Sequence, residues 1–470
     1  MRKLLPSLIA IVILSVPLCV MAEGTPVQIW LTTADQHHLL SQQSDLSFRD
    51  QQAASIDVVV DSTKTFQTME GVGAAMTDAS AILLQQKMPA ALRQKVMAEL
   101  FSRDNQGLGF DFTRITIGAS DFSDAHYTLD DVPPNTSDET LQHFSMAPQS
   151  LYVMPALQQA LTLNPSLKIM ATPWSAPAWM KTNHHLYQGE LNPVFYDAYA
   201  HYFLRTIESY QMHGVPIFSI SVQNEPHFEP KDYPGMRFNP EDRARFIGRY
   251  LGPLFAQHKV TTKIWDWDHN WDQPESPLKV LSDPQAASYI TGVAWHCYAG
   301  NASAQSIVHH QFPTKETWLT ECSGGEWSPD WESSLPWLES NLIIDSIRHW
   351  SKGVLMWNLI LDQHFGPHLG GCANCRAVMT YNTETGALTR NAEYYAFGHI
   401  SKFVHRGAKR IASSDQTEGV NNVAFINEDG SIVIVLCNTS TTPHNVSVRS
   451  GTQRFAYQLP PKSVITAVWK

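Results

Sequence analysis

The chain is 470 residues long, 43% hydrophobic and only 16% charged, with a formal net charge of −11. That length and apolar content suffice for a large buried core, as one long barrel or as two or three smaller domains. An acidic, weakly charged chain lacks the basic footprint of a nucleic-acid binder, so no nucleic-acid partner is expected.

The N-terminus reads as an export signal. Arg2 and Lys3 precede an apolar stretch over residues 8–20, and Val20-Met21-Ala22 offers a cleavage site before Glu23. The stretch is short for a membrane span and no later stretch looks transmembrane. A secreted or periplasmic protein without stable membrane insertion is expected, with residues 1–22 removed. Cys19 lies where a lipoprotein cysteine would sit, but Leu18 is too bulky for a good lipobox.

Residues 27–31 and 56–60 alternate as strands and have no helical partners. From residue 66 to about 402, short apolar runs alternate with helical segments. The runs are 68–76, 112–117, 168–172, 217–222, 263–267, 292–298, 317–320 and 353–359. Eight strand-then-helix units predict a parallel sheet with right-handed crossovers, closed as a (β/α)8 TIM barrel. An open doubly wound sheet is the alternative, but no Gly-rich nucleotide loop follows the first run. After residue 403 the period changes to two, with turns at Glu428-Asp429-Gly430 and Leu459-Pro460-Pro461. The expected fold is α/β: a barrel over 66–402 with an all-β side domain formed from the strands of 23–65 and 403–470.

Five cysteines follow the leader: Cys297, Cys322, Cys372, Cys375 and Cys437. In an exported chain, Cys372-Ala373-Asn374-Cys375 reads as a local disulfide. Zinc is the rival, without a second CxxC or suitably spaced histidines to complete it. The odd count leaves a thiol free or available for an intermolecular bridge. His184-His185 and His309-His310 are adjacent pairs that cannot share a helix face, so they read as surface loops. The Asp- and Trp-rich run 265–272 lacks an EF-hand pattern and reads as a sugar-contacting or packed loop.

Two apolar runs stop at a glutamate. Ile217-Phe218-Ser219-Ile220-Ser221-Val222-Gln223-Asn224-Glu225-Pro226 ends the fourth strand, and Thr317-Trp318-Leu319-Thr320-Glu321-Cys322 ends the seventh. A β/α barrel carries its chemistry at the C-terminal ends of its strands. Two carboxylates so placed, in a chain with 14 Trp, point to cleavage of a glycosidic bond between them. Most of those Trp are expected in the core.

Longer motifs support this. They are Gly71-Val72-Gly73-Ala74-Ala75-Met76-Thr77-Asp78-Ala79, Thr172-Pro173-Trp174-Ser175-Ala176-Pro177-Ala178-Trp179-Met180-Lys181, Asn224-Glu225-Pro226, His296 with Tyr298, Thr320-Glu321 and Trp357-Asn358-Leu359. Together they resemble glycoside hydrolase family 30, the group of the glucosylceramidases and microbial β-1,6-glucanases. The resemblance implies Glu225 as acid/base and Glu321 as nucleophile. It implies Asn224, Asp121, Trp174 and Trp357 as sugar contacts, and Tyr298 as a donor to Glu321. Arg114 would keep Glu321 ionised, and His296 would support the site. A neighbouring carboxylate should raise the pKa of Glu225. No cofactor or metal is expected.

The insert at 230–237 and the Gly370-Gly371-Cys372 to Cys375 loop depart from the lysosomal pattern and look like bacterial and β-1,6-glucanase members. The expected partner is a β-glucoside, a glycolipid or a β-glucan. The leading expectation is a retaining β-glycoside hydrolase that cleaves β-glucosidic bonds by double displacement, a glucosylceramidase-like β-glucosidase, with an endo-β-1,6-glucanase close to it as the alternative. A non-catalytic carbohydrate-binding protein and an adhesin built on the β unit are the readings of another class. Oligomeric state is not readable.

Overall fold

The computed structural model describes residues 24–104, 107–415, 417 and 419–470. The expected signal segment and Cys19 lie outside the described residues.

Eight parallel strands close into a barrel in chain order. They are Gly71–Ala74, Phe112–Ile117, Lys168–Pro173, Ser219–Ser221, Lys263–Asn270, Ile290–His296, Glu316–Glu321 and Ser351–Met356. The last pairs with the first, Met356 beside Ala74, which closes the ring. The strands read as continuous apolar runs because the barrel interior covers one face and the helices the other. One end of the interior is filled by Phe112, Met170, Trp265, Trp318 and Leu355. Trp265 and Trp318 stack there with centroids 4.3 Å apart. These Trp are packing residues; the opposite end is left to polar side chains.

The single helix expected after the first strand is broken into Asp78–Ile82, the wider turn Leu83–Lys87 and Ala90–Phe101. Pro89 causes the break. It disfavours helical torsions at Met88, which turns to ψ 133°, and it starts the next helix.

The side domain is one ten-stranded sheet. Pro26–Thr33 pairs with Ser463–Trp469, so chain beginning and end lie together. Ile56–Thr68 lies between Lys409–Ser413 and His444–Ser450. This strand runs through Phe66, which lies over Arg410 at 3.7 Å. The boundary expected at 65/66 therefore moves past Thr68. Inside-outside alternation stops near Asp61, and the remainder of the strand is exposed or half-buried on both faces, so the sequence pattern does not mark its end.

The side domain packs on the last barrel helix, Ala392–Ser401. Its fully buried His399 bridges the two units, with Nδ1 2.8 Å from the Thr466 hydroxyl and Nε2 2.8 Å from that of Thr32. Burial pushes this imidazole down to about 3, so it is neutral. Among the described residues no helix is long and apolar enough to cross a membrane.

Candidate active site

The second strand is buried at every position, and Arg114 at its middle points into the barrel. Its guanidinium is wholly buried and binds three elements. Nη1 donates to Glu321 Oε2 at 2.5 Å, and Nη2 donates to Asn224 Oδ1 at 2.8 Å and Asp268 Oδ2 at 2.9 Å. Its planar face lies over Trp174 at 4.8 Å and Trp357 at 5.5 Å. A planar, permanently charged fork can hold several acceptors at once, which lysine cannot. One residue thereby fixes the ends of strands four, five and seven.

Asp268 is the counterweight, and the sequence reading missed it. Its buried carboxylate accepts from Arg114, from His296 Nε2 at 2.9 Å and from the hydroxyls of Thr320 and Ser221, each at 2.6 Å. Burial alone would raise this carboxyl. Arg114 and His296 outweigh it and hold Asp268 far below the usual carboxylate range. The run 265–272 is thus no peripheral loop, because the fifth strand continues to Asn270. Trp267 and Asp268 have φ of +78° and +58°, and Glu225, whose N–H donates to the Asp268 carbonyl, has +46°. Side chains rarely adopt such torsions, and where they do, the surroundings hold them, often at functional sites.

The two strand-end glutamates share one imidazole. His296 Nδ1 lies 3.3 Å from Glu225 Oε1, and Nε2 lies 3.9 Å from Glu321 Oε2. They therefore face a common space rather than opposite sides of the barrel wall. Tyr298 donates to Glu321 Oε1 at 2.9 Å from the rim, where it is half exposed. His269, also missed, brings Nδ1 within 3.3 Å of Glu225 Oε1. The expected rise in the Glu225 pKa is reversed in the free site. Burial does push the carboxyl up, but the imidazoles of His269 and His296 hold it below its ordinary value. Burial opposes charge on His296 too, yet Glu321, Asp268 and Glu225 push it up to about 9. The proton expected on the carboxylate resides on the neighbouring ring.

The remaining sequence-identified residues form one wall. Trp174 and Trp357 stack at 4.9 Å, beside Phe122 and Tyr233. Asn224 is oriented by Arg114, which takes its oxygen and leaves its amide N–H groups for another partner. Asp121 is pushed up to about 8, by burial first and then by the charge of Glu321. It therefore carries a proton at neutral pH and can donate as well as accept. The loop after strand eight closes on it, with Cys372 N–H 3.4 Å from Asp121 Oδ2. Gly371 is required there: at φ +64° an added Cβ would stand 2.4 Å from that of Asp121. The 230–237 insert meets the same loop, as Gly371 N–H approaches Asp232 Oδ2 at 3.4 Å.

Cys372–Cys375 is a disulfide, and Cys437 is a buried free thiol. A second disulfide, Cys297–Cys322, was not readable from spacing. It ties the ends of strands six and seven, with His296 and Tyr298 flanking one sulfur and Glu321 preceding the other. Cys297→Ser with Cys322→Ser is expected to lower kcat on an aryl β-glucoside about tenfold or more, through loosened Tyr298–Glu321 geometry. Steady-state kinetics beside a melting curve checks this: an unchanged kcat would make the bridge purely structural.

Among the described residues, Glu225, His269 and His296 are the one group of His, Cys and acidic side chains close enough to hold a metal. The chemistry of two apposed carboxylates does not require one.

Residues 69–404 match the model of the glycosyl hydrolase family 30 TIM-barrel domain, and residues 407–467 that of its beta sandwich domain. The endo-1,6-beta-D-glucanase neg1 of Aspergillus fumigatus is 34% identical over 430 residues, covering 86% of this chain and 85% of its own length. The lysosomal acid glucosylceramidase of Mus musculus is 29% identical over 434 residues, covering 87% and 82%. The solved structure of the endo-beta1,6-glucanase BT3312 superposes with a TM-score of 0.87 at 32% identity, covering 95% of this chain and 99% of that one. With the barrel and the C-terminal part of the side domain both matched around this pair of carboxylates, the chain belongs to glycoside hydrolase family 30.

Proposed function

We propose that this enzyme hydrolyses β-1,6-linked glucan with retention of configuration, Glu321 acting as nucleophile and Glu225 as acid/base. Retention needs the two carboxyl groups close, at roughly 5–5.5 Å, with no water between nucleophile and sugar. The observation that carries the reading is that both carboxylates reach one buried imidazole, His296, and so face a common space; retention is supported by the family 30 barrel around them. Arg114 and Tyr298 keep Glu321 anionic and aimed, as attack on an anomeric carbon requires. His296 holds a proton 3.3 Å from Glu225 and can pass it there once a bound sugar has excluded water. Glu225 then protonates the leaving oxygen, and later takes a proton from the water that releases the sugar. Asn224 and Asp121 donate to sugar hydroxyls, and the Trp174–Trp357 wall bounds the ring.

The linkage is supported by the relatives named for 1,6-glucan, which match at higher identity than the glucosylceramidases. The clasp between the 230–237 insert and the loop after strand eight suits that branch. A second reading, glucosylceramide, is favoured by exposed Phe228, Leu369 and Trp327, which suit an apolar leaving group. Two disulfides fit an oxidising compartment, in keeping with export.

Comparison of kcat/KM on β-1,6-glucan, glucosylceramide and an aryl β-glucoside tests the assignment. The glucan is expected to lead, with the β-anomer appearing first by proton NMR. Preference for glucosylceramide by about tenfold, roughly 1.4 kcal/mol of transition-state binding, would overturn the linkage. Initial release of the α-anomer would overturn the mechanism.

A further inference from the structure

We propose that Glu225, His269 and His296 form an inhibitory site for a divalent transition cation such as Zn²⁺ or Cu²⁺. Their ligand atoms all lie within 4.8 Å of one another. Both imidazoles present Nδ1 to the same oxygen, Glu225 Oε1, each at 3.3 Å. Donors around a tetrahedral zinc, at roughly 2.0–2.2 Å from the metal, stand roughly 3.3–3.5 Å apart, so two of the three spacings already suit a metal.

A second, independent observation points to a ligand. His269 is 6% exposed, and its buried Nδ1 has no hydrogen-bond partner, since the approach to Glu225 is off the hydrogen-bond direction. A buried ring nitrogen without a hydrogen-bond partner, aimed at a carboxylate and a second imidazole, is placed as a metal ligand would be. The arrangement continues outward. His296 turns its other nitrogen, Nε2, to Asp268 Oδ1 at 2.9 Å, the carboxylate–imidazole pairing that orients metal-bound histidines. Asp268 is itself fixed by Arg114 and Ser221. Two nitrogens and one oxygen favour Zn²⁺ or Cu²⁺ over Ca²⁺ or Mg²⁺, which prefer all-oxygen shells. The fourth position faces the sugar space.

A metal held there replaces the proton that Glu225 must deliver and occupies its lone pairs. It displaces a proton from the histidine nitrogen into solvent as it binds, and it excludes the leaving group. Inhibition should therefore be competitive with substrate and reversed by a chelator.

Isothermal titration of chelator-treated enzyme with ZnCl₂, and separately with CaCl₂ and MgCl₂, tests this without reference to any substrate. One saturable zinc site in the micromolar range is expected, with no comparable calcium or magnesium binding. Prior saturation with a glucose-configured iminosugar should abolish zinc binding. His269→Gln should weaken it about tenfold or more. The iminosugar arm uses the native protein, so it stands even if the variant fails to fold. Absence of saturable zinc binding, or zinc binding indifferent to the iminosugar, would overturn the proposal. The inference rests on the acid/base position but not on the linkage. A protein that binds zinc here yet leaves β-1,6-glucan intact would sink only the substrate assignment.

Discussion

Glu321→Gln is expected to lower kcat on a dinitrophenyl β-glucoside by about 10⁴-fold or more, the order seen when a nucleophile is removed from an otherwise intact site. The amide keeps the size of the carboxylate: its oxygen can accept from Arg114 while its NH2 donates to the Tyr298 hydroxyl oxygen, so the fold should survive. The nucleophilic charge is lost, and the guanidinium of Arg114 no longer has that anion beside it. Glu225→Gln makes the informative contrast. Its loss should be severe on the glucan, whose leaving oxygen needs a proton, and much smaller on the activated aryl glucoside, whose phenolate leaves unaided. Stopped-flow kinetics on both substrates, with circular dichroism as a folding control, checks the pair. A Glu321→Gln enzyme turning over near the native rate would remove Glu321 from the nucleophile role. Equal losses for Glu225→Gln on both substrates would remove Glu225 from the acid role.

The parts of this site legible in the sequence were those where a polar residue interrupts an apolar run. Glu225 and Glu321 stand out because strands covered on both faces have no other reason to end in a carboxylate. Eight such runs also made the barrel legible, and the change to period two made the side sheet legible. Arg114 lies inside an apolar strand, and nothing local tells an inward cation from a misplaced one; only the resemblance assigned it. Asp268 and His269 were lost for a different reason. Their run is as rich in Trp as a core strand, and positive φ at Trp267 and Asp268 breaks the alternation that would have marked them as strand. The sequence places a second carboxylate near Glu225 but does not show the two imidazoles that strands five and six bring against it, and these decide its ionisation. Pairing of Cys297 with Cys322 depends on adjacency of strands six and seven, which composition cannot supply.

That hidden fifth-strand end also supplies the second large effect. Asp268 is wholly buried and pairs with both Arg114 and His296, adding to the charge that Glu321 and Glu225 place beside them. Asp268→Asn leaves two buried cationic groups facing a neutral amide. Removing one partner of a buried ion pair costs about 3–5 kcal/mol, because the remaining charge stays desolvated. The protein can relieve this by releasing the His296 proton, but the proton store beside Glu225 then empties. Asp268→Asn should therefore lower both melting temperature and kcat, the latter by about 10²-fold through misplaced Arg114 and His296. The two losses should separate by substrate. If Asp268 acts through the His296 proton, an aryl glucoside that needs no acid should regain much of the rate, while β-1,6-glucan should not. If Asp268 serves only to hold Arg114 against Glu321, both substrates should suffer alike, since attack by Glu321 is common to them. A stable Asp268→Asn enzyme with native kcat on both would show that the buried network is structural ballast rather than the source of the site's charge arrangement.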